Sequence, residues 1–343
     1  MLSFHHKLGR KLWADEGRYL SMLKFRLRWA LRDAKAHWAP VVAIALMIAI
    51  GTGLFAGLSS LTQWRLDSND ASLALGKMYD LRARLGGGHL PQGALAEIAR
   101  GIDGVAAAEE RLVVQSQADI PAPGGETVFV PARIIGVDLS DGGPSVNRVL
   151  TYAGRGIEES EIGEPVVMLE RNFAVFYDLP ESGGLTLGGG AAARYVGHAV
   201  SPEYYLVVEE GSFIAQANLA VVFTSLETAQ EITGRPGVND LVLTVRPGVS
   251  LAAVEDALAA AVEARHSGVG LSITRKEDDA SYLALTRDPE GDQQFYNVFA
   301  LVLFAGAAFA ALNLAARMAE AQRREIGVQM ALGVRPRQLR HRV

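Results

Sequence analysis

Hydrophobic and polar positions divide this chain into three kinds of segment. Ala39 to Leu61 reads APVVAIALMIAIGTGLFAGLSSL, twenty-three residues without a charged side chain. Phe295 to Ala316 reads FYNVFALVLFAGAAFAALNLAA, twenty-two residues of the same kind. As helices rising about 1.5 Å per residue, each is roughly 33–35 Å long, enough to cross a hydrocarbon layer of about 30 Å. The first block is too long and starts too late for a cleavable leader, so both read as membrane spans. Ahead of the first span, Leu20, Leu23, Leu27, Ala30 and Leu31 share one helical face, while Lys24, Arg28, Arg32 and Lys35 fall mainly on the other. That spacing predicts an amphipathic helix lying in the membrane interface within residues 1–38, with Trp29 and Trp38 at headgroup level.

Between the blocks the pattern changes to short alternating runs and capped helices. KMYDLRARL (77–85), GVAAAEERLVVQSQADI, ETVFVPARIIGVDL, VNDLVLTVRPG and GVGLSITRKE read as strands. PQGALAEIAR reads as a short helix opened by Pro91. SLETAQEITG reads as a helix capped by Ser225 and closed by Gly234, and SLAAVEDALAAAVEA as one capped by Ser250. Each end of the segment therefore carries β-α-β material, about 62–148 and 224–276, with a β-rich insertion at about 149–223. A stalk at about 277–294 follows, in which Pro289 and Gly291 predict a break near the membrane surface. The expected architecture is a membrane protein: two transmembrane α-helices flanking an extracytoplasmic α/β (α+β) domain of residues 62–294, plus the amphipathic interfacial helix. Residues 39–61 and 295–316 are the spans, and 317–343 form a second cytoplasmic segment.

Charge orients this layout. Met1 to Trp38 holds nine Lys or Arg against three acids, and Arg317 to Val343 seven arginines against Glu320 and Glu325. Thr62 to Gln294 holds 17 basic and 33 acidic residues. The positive-inside rule places both termini in the cytoplasm and the acidic middle outside, in a multi-pass protein of the cell membrane. The chain has no cysteine, which suits an outer domain built without a disulfide framework.

Candidate chemistry is sparse. There is no G-x-x-x-x-G-K-[ST] loop, no H-E-x-x-H and no G-x-S-x-G elbow, so no catalytic, cofactor-binding or metal-ligating residue is expected. The glycine clusters RLGGGHL and LTLGGGAAARY read as turns. Glu277, Asp278 and Asp279 read as a solvated helix start rather than a cation site. Asn297 and Asn313 are polar groups within the second span, suited to bonds with neighbouring helices. Basic residues concentrate at the cytoplasmic ends, where membrane lipids account for them and nucleic acid is not needed.

The most informative stretch follows the second span. RREIGVQMALGVRPRQL begins at Arg323 and stays helical in periodicity, with Ile326, Met330 and Leu339 as apolar anchors and two glycines that permit close approach. It resembles the segment after the second span of FtsX/MacB-type ABC-transporter permeases, in which R-x-E-I-G-x-x-x-A-L-G recurs. Span, large outer domain, second span is also that family's order. AGRGIEESEIGEPVVMLERNFAVFYDL and VGHAVSPEYY resemble stretches of its outer domain more loosely. The resemblance implies that Arg323, Arg324, Glu325, Ile326, Gly327, Ala331, Leu332 and Gly333 couple the chain to a separate ABC-type ATPase subunit, which holds the ATP and magnesium. It implies porter-like outer halves moved by ATP hydrolysis, exporting or extracting a lipid, lipoprotein, peptide or hydrophobic compound. Family members continue into further spans, so this chain is expected to be the N-terminal part of a longer permease, paired as a homodimer or heterodimer or with its own second half. The alternative is a two-span sensory receptor with an outer ligand-binding domain, whose cytoplasmic coils the glycines at 327 and 333 suit poorly.

Overall fold

A computed structural model describes residues 35, 38–121, 123, 125–205, 207, 217–321 and 323–332, with backbone alone at 41, 287–290, 319, 325, 326 and 329. The expected interfacial helix lies outside the described residues apart from Lys35 and Trp38. Two compact units divide the chain, Gln63–Glu290 and the segments flanking it.

The flanking unit rests on two long helices, α1 (Trp38–Leu75) and the later one of residues Ala280–Ala321, both of which extend into the other unit's residues. Both contain a stretch long and apolar enough to cross a membrane. Most of their large apolar side chains face outward, among them Leu46, Ile50, Phe299, Val302 and Phe309. Where the two helices meet, Gly51 lies against Ala307, and a Cβ there would sit 2.6 Å from that methyl group. One turn along, the Phe55 and Phe304 rings lie 5.8 Å apart. Thr52 donates its hydroxyl to Ile48 O at 2.7 Å, satisfying within the helix a polar group that lipid could not.

In the Gln63–Glu290 unit, strands β1 (Leu81–Leu85), β2 (Val105–Pro121), β3 (Thr127–Val137), β4 (Leu150–Gly154), β5 (Val166–Glu170), β6 (Gly183–Leu187), β7 (Ala191–Val200), β8 (Ala220–Ser225), β9 (Asp240–Val245) and β10 (Leu271–Arg275) form one sheet. Its order is β10-β1-β9-β2-β3-β8-β5-β7-β4, with β6 pairing β2 and β7. β2 is the organiser. Its first half pairs β9 and its second half pairs β3, so strands near both ends of the domain's sequence meet on one ribbon. The β-rich stretch joins this same sheet through β8, which runs parallel to β3 and antiparallel to β5. Pro131 has no N–H to donate, and β8 begins pairing with β3 only at Ala132, so the proline sits where no such bond is required.

Both faces of the sheet are covered. Leu95 and Ile98 of α2 (Ala94–Arg100), Leu226 and Ala229 of α4 (Leu226–Thr233), and Val254, Leu258 and Val262 of α5 (Leu251–Arg265) pack with Leu112, Ile134, Val222 and Leu241. Phe173 and Ala174 of the short α3 (Arg171–Phe176) join them. On the opposite face Ile135, Val137, Met168, Val221 and Phe223 form a second core with Tyr204. β8 displays the consequence: its six residues are all buried, and Ala220 to Phe223 alternate between the two cores.

Several local expectations stand and several are corrected. Ser225 Oγ accepts the Thr228 N–H at 3.1 Å, and Gly234 closes α4 in the left-handed region at φ 62°. Ser250 holds the cap position of α5, yet its side chain makes no capping bond. α2 starts at Ala94 rather than Pro91, because Glu110, on β2, accepts the N–H groups of Gly93 and Ala96 and caps the helix from across the sheet. The first strand begins at Leu81 rather than Lys77, whose φ of 51° is not a strand conformation. The expected break at Pro289 and Gly291 is absent: helix α6 (Ala280–Ala321) runs through both. A proline forfeits one backbone hydrogen bond, which a helix of 42 residues absorbs.

Candidate functional site

The segment singled out by the sequence forms helix α7 (Arg323–Ala331). Arg323, Gly327 and Ala331 recur every four residues and so share a face. Arg323, Arg324, Gly327, Ala331 and Leu332 are all exposed. A Cβ built at Gly327 meets nothing within 4 Å, so no contact among the described residues demands a glycine there. Val328, Met330 and Leu332 also face outward, Leu332 at 80% exposure. Glu325 and Ile326 lie in the helix with their side chains outside the described residues, and Gly333 lies outside them altogether. The described side chains of the helix thus present small, apolar and cationic groups to its surroundings.

A second assembly, which the sequence did not reveal, lies in the sheet. Arg82 on β1, Arg111 on β2, Asp240 on β9 and Glu203 in the turn after β7 form a buried four-charge network. Arg111 and Asp240 are register partners on adjacent strands. Arg111 donates through Nε and Nη2 to Asp240 Oδ1 at 2.9 and 2.6 Å, and through Nη1 to Glu203 Oε2 at 2.7 Å. Arg82 donates through Nε to Asp240 Oδ2 at 2.7 Å and through Nη1 to Glu203. Asn147 Nδ2 donates to Glu203 Oε2 at 2.9 Å, while its Oδ1 accepts the Tyr79 N–H.

Burying four charges is costly unless each is paired, and here each of two cations bridges both anions through charge-assisted hydrogen bonds. Burial alone would raise the Glu203 carboxyl, but the fields of Arg111 and Arg82, with the bond from Arg111, outweigh it and hold its pKa at about 2. Burial also disfavours the Arg82 and Arg111 charges, and Asp240 and Glu203 more than compensate, raising both. The network fastens the Ser201–Tyr205 turn to three strands. Gly76 is part of the same seam: a Cβ there would lie 2.3 Å from Pro202 Cγ.

Asp279 is a partial correction to the solvated helix start. Glu277 and Asp278 are exposed, whereas Asp279 Oδ1 accepts the N–H groups of Ser281 and Tyr282 at the start of α6, and its Oδ2 accepts the Tyr79 hydroxyl at 2.9 Å. Burial, then the nearby Glu203 charge, pushes its carboxyl up. Asn297 accepts a bond from Gln293 of its own helix at 2.6 Å. Among the described residues, no three His, Asp or Glu side chains gather to hold a metal.

No family model matches the chain, and no curated protein matches it. Among solved structures, it is similar to the periplasmic region of MacB from Actinobacillus actinomycetemcomitans, at 13% identity over 57% of this chain and 88% of that one, with a TM-score of 0.41. It is similar also to the extracellular domain of the noncanonic ABC-type transporter YknZ from Gram-positive bacteria, at 13% identity over 57% of this chain and all of that one, with a TM-score of 0.38.

Proposed function

We propose that this chain is part of an ABC-transporter permease of the FtsX/MacB type, working with a separate ATPase subunit that binds and hydrolyses ATP with magnesium. The observation that carries the reading is the R-x-E-I-G-x-x-x-A-L-G pattern at Arg323–Gly333, helical over Arg323–Ala331 and exposed at its described side chains, directly after an apolar helix. Glu325, Gly327, Ala331, Leu332 and Gly333 dock on the ATPase with Ile326 in the same segment, and Arg323 and Arg324 are supporting contacts. Both termini are cytoplasmic and the 62–294 domain lies outside. Closure of the ATPase pair is transmitted through the two long helices to the outer domain. That domain moves a lipid, lipoprotein, peptide or hydrophobic compound outside the membrane. The chain pairs with a second permease, or with a second half of its own chain.

The test is a reconstitution of the native protein with its copurifying ATPase. Glu325→Ala and Gly333→Leu are expected to reduce substrate-stimulated ATP hydrolysis about tenfold or more with insertion intact, which is roughly 1.4 kcal/mol or more of activation free energy. Unchanged stimulation in both variants overturns the assignment of the segment. Because the chain has no cysteine, topology can be read directly. In intact cells, Glu126→Cys is expected to react with a membrane-impermeant maleimide, and Ser3→Cys only after lysis. The opposite pattern would reverse the orientation.

A further inference from the structure

Leu285 lies on α6 four residues before Pro289. In a regular α-helix the carbonyl of residue 285 accepts the N–H of residue 289, and proline has none. Asn69 of α1 supplies a donor instead: its Nδ2 donates to Leu285 O at 2.9 Å. Both residues are half-buried, and a carbonyl screened from water with no donor is costly. Asparagine is a poor choice for a helix interior, so α1 has no reason of its own to carry one at position 69. The gap that the proline leaves in one helix is thus filled by a side chain 216 positions away on the other.

This bond sits beside the last turns that the core of the Gln63–Glu290 unit holds. Asp279 caps the start of α6 through the N–H groups of Ser281 and Tyr282. Tyr282 and Leu285 then pack on a small core of Leu73, Met78, Tyr79, Val146 and Val242. Among the described residues, Leu285 is the last of α6 to join that core. The end of α1 is held as firmly: the Tyr205 hydroxyl donates to Ser72 O at 2.9 Å, and the Arg148 N–H to Gly76 O at 2.8 Å. Past Pro289 comes Gly291, where a built Cβ meets nothing within 4 Å. A missing backbone bond followed by a residue without a side chain makes residues 285–291 a stretch where a bend costs little.

We propose that the Asn69 amide and the Leu285 carbonyl form a releasable latch between the two long helices. Made, it keeps α6 straight through Pro289. Released, it lets α6 bend there, with water replacing Asn69 on the carbonyl. One neutral hydrogen bond between half-buried groups biases such an equilibrium by roughly two- to tenfold, strong enough to set the resting state and weak enough to open. The latch is complete within this chain and needs no partner subunit to form.

The experiment is amide hydrogen exchange of the full chain in detergent, read by mass spectrometry over residues 286–293. Asn69→Ala is expected to speed exchange there by roughly two- to tenfold while leaving β2 and β9 unchanged. Pro289→Ala gives Leu285 O an N–H from its own helix and is expected to slow exchange over the same stretch. In that background Asn69→Ala should have no further effect, because the carbonyl no longer depends on the amide. A contact that merely packs the helices would act alike in both backgrounds. Exchange unchanged by Asn69→Ala, equal acceleration with and without Pro289, or acceleration spread through β2 and β9 overturns the latch.

Discussion

Glu203 is the residue on which the Gln63–Glu290 unit turns. It sits at 4% exposure and receives bonds from Arg82, Arg111 and Asn147, which lie 121, 92 and 56 positions away in the sequence. Removing its charge strands two buried guanidinium groups. Glu203→Gln is therefore expected to destabilise the domain by about 3–5 kcal/mol in chemical denaturation. In a double-mutant cycle with Arg111→Met the two losses should fall well short of additive, because each removes the same pair. Additive losses would mean that the two side chains stabilise the fold independently. None of this was legible beforehand. Arg82 lies within LRARL and Arg111 within EERLVV, where a charge in an alternating run reads as the solvent face. Here both faces of the sheet are covered, so the expected solvent face is a second core. The one available signal was an Arg or Asp inside otherwise apolar strands, and it names no partner.

At the scale of single elements, helix signals in the sequence were reliable where the cap is local. Ser225 and Gly234 bracket α4 as expected, since the cap bond joins residues three apart and the closing residue needs only a positive φ. Ser250 shows the limit, being correctly placed but without a capping bond. The two serines make a paired test by thermal unfolding: Ser225→Ala is expected to cost about 1 kcal/mol and Ser250→Ala close to nothing. Equal losses would show that backbone geometry at the cap, not the hydroxyl, supplies the stabilisation. The start of α2 was misplaced for a related reason. Its capping carboxylate comes from Glu110, fourteen to seventeen positions away on a neighbouring strand. The segment after the second long helix was legible as a helix because its periodicity is carried by consecutive residues.

For the whole molecule, the charge network makes stability depend on acid. Glu203 and Glu161 both have folded pKa values held at about 2, the first by Arg111 and Arg82 against burial, the second by a hydrogen bond from Arg155. A glutamate in an unfolded chain titrates near 4.3. A depressed folded value means stability is fully present above that pH and is lost as pH falls towards about 2. Asp279 has the opposite sign: its raised carboxyl favours the fold at low pH and loses that contribution as pH rises through its folded value. Glu255 is depressed as well, by its bond from Arg275, and Glu170 is raised by burial, so the acid loss comes from Glu203, Glu161 and Glu255 and is opposed by Asp279 and Glu170. The melting temperature is thus expected to fall steeply between about pH 4.5 and pH 2, and Glu203→Gln should flatten that slope. A slope unchanged in Glu203→Gln would assign the acid sensitivity elsewhere.

By itself the sequence determined the two apolar helices, the alternation of strands and capped helices between them, and the helical motif after the second span. Those properties depend on neighbours a few positions apart, through backbone geometry, local capping and the length of an uncharged run. Tertiary structure alone decided how the strands order into one sheet around β2, why Gly76 must lie against Pro202, and how four charges up to 158 residues apart become one buried cluster. Burial reverses the meaning of a charged residue, from solvated to obligately paired, and burial is a property that only the assembled sheet confers.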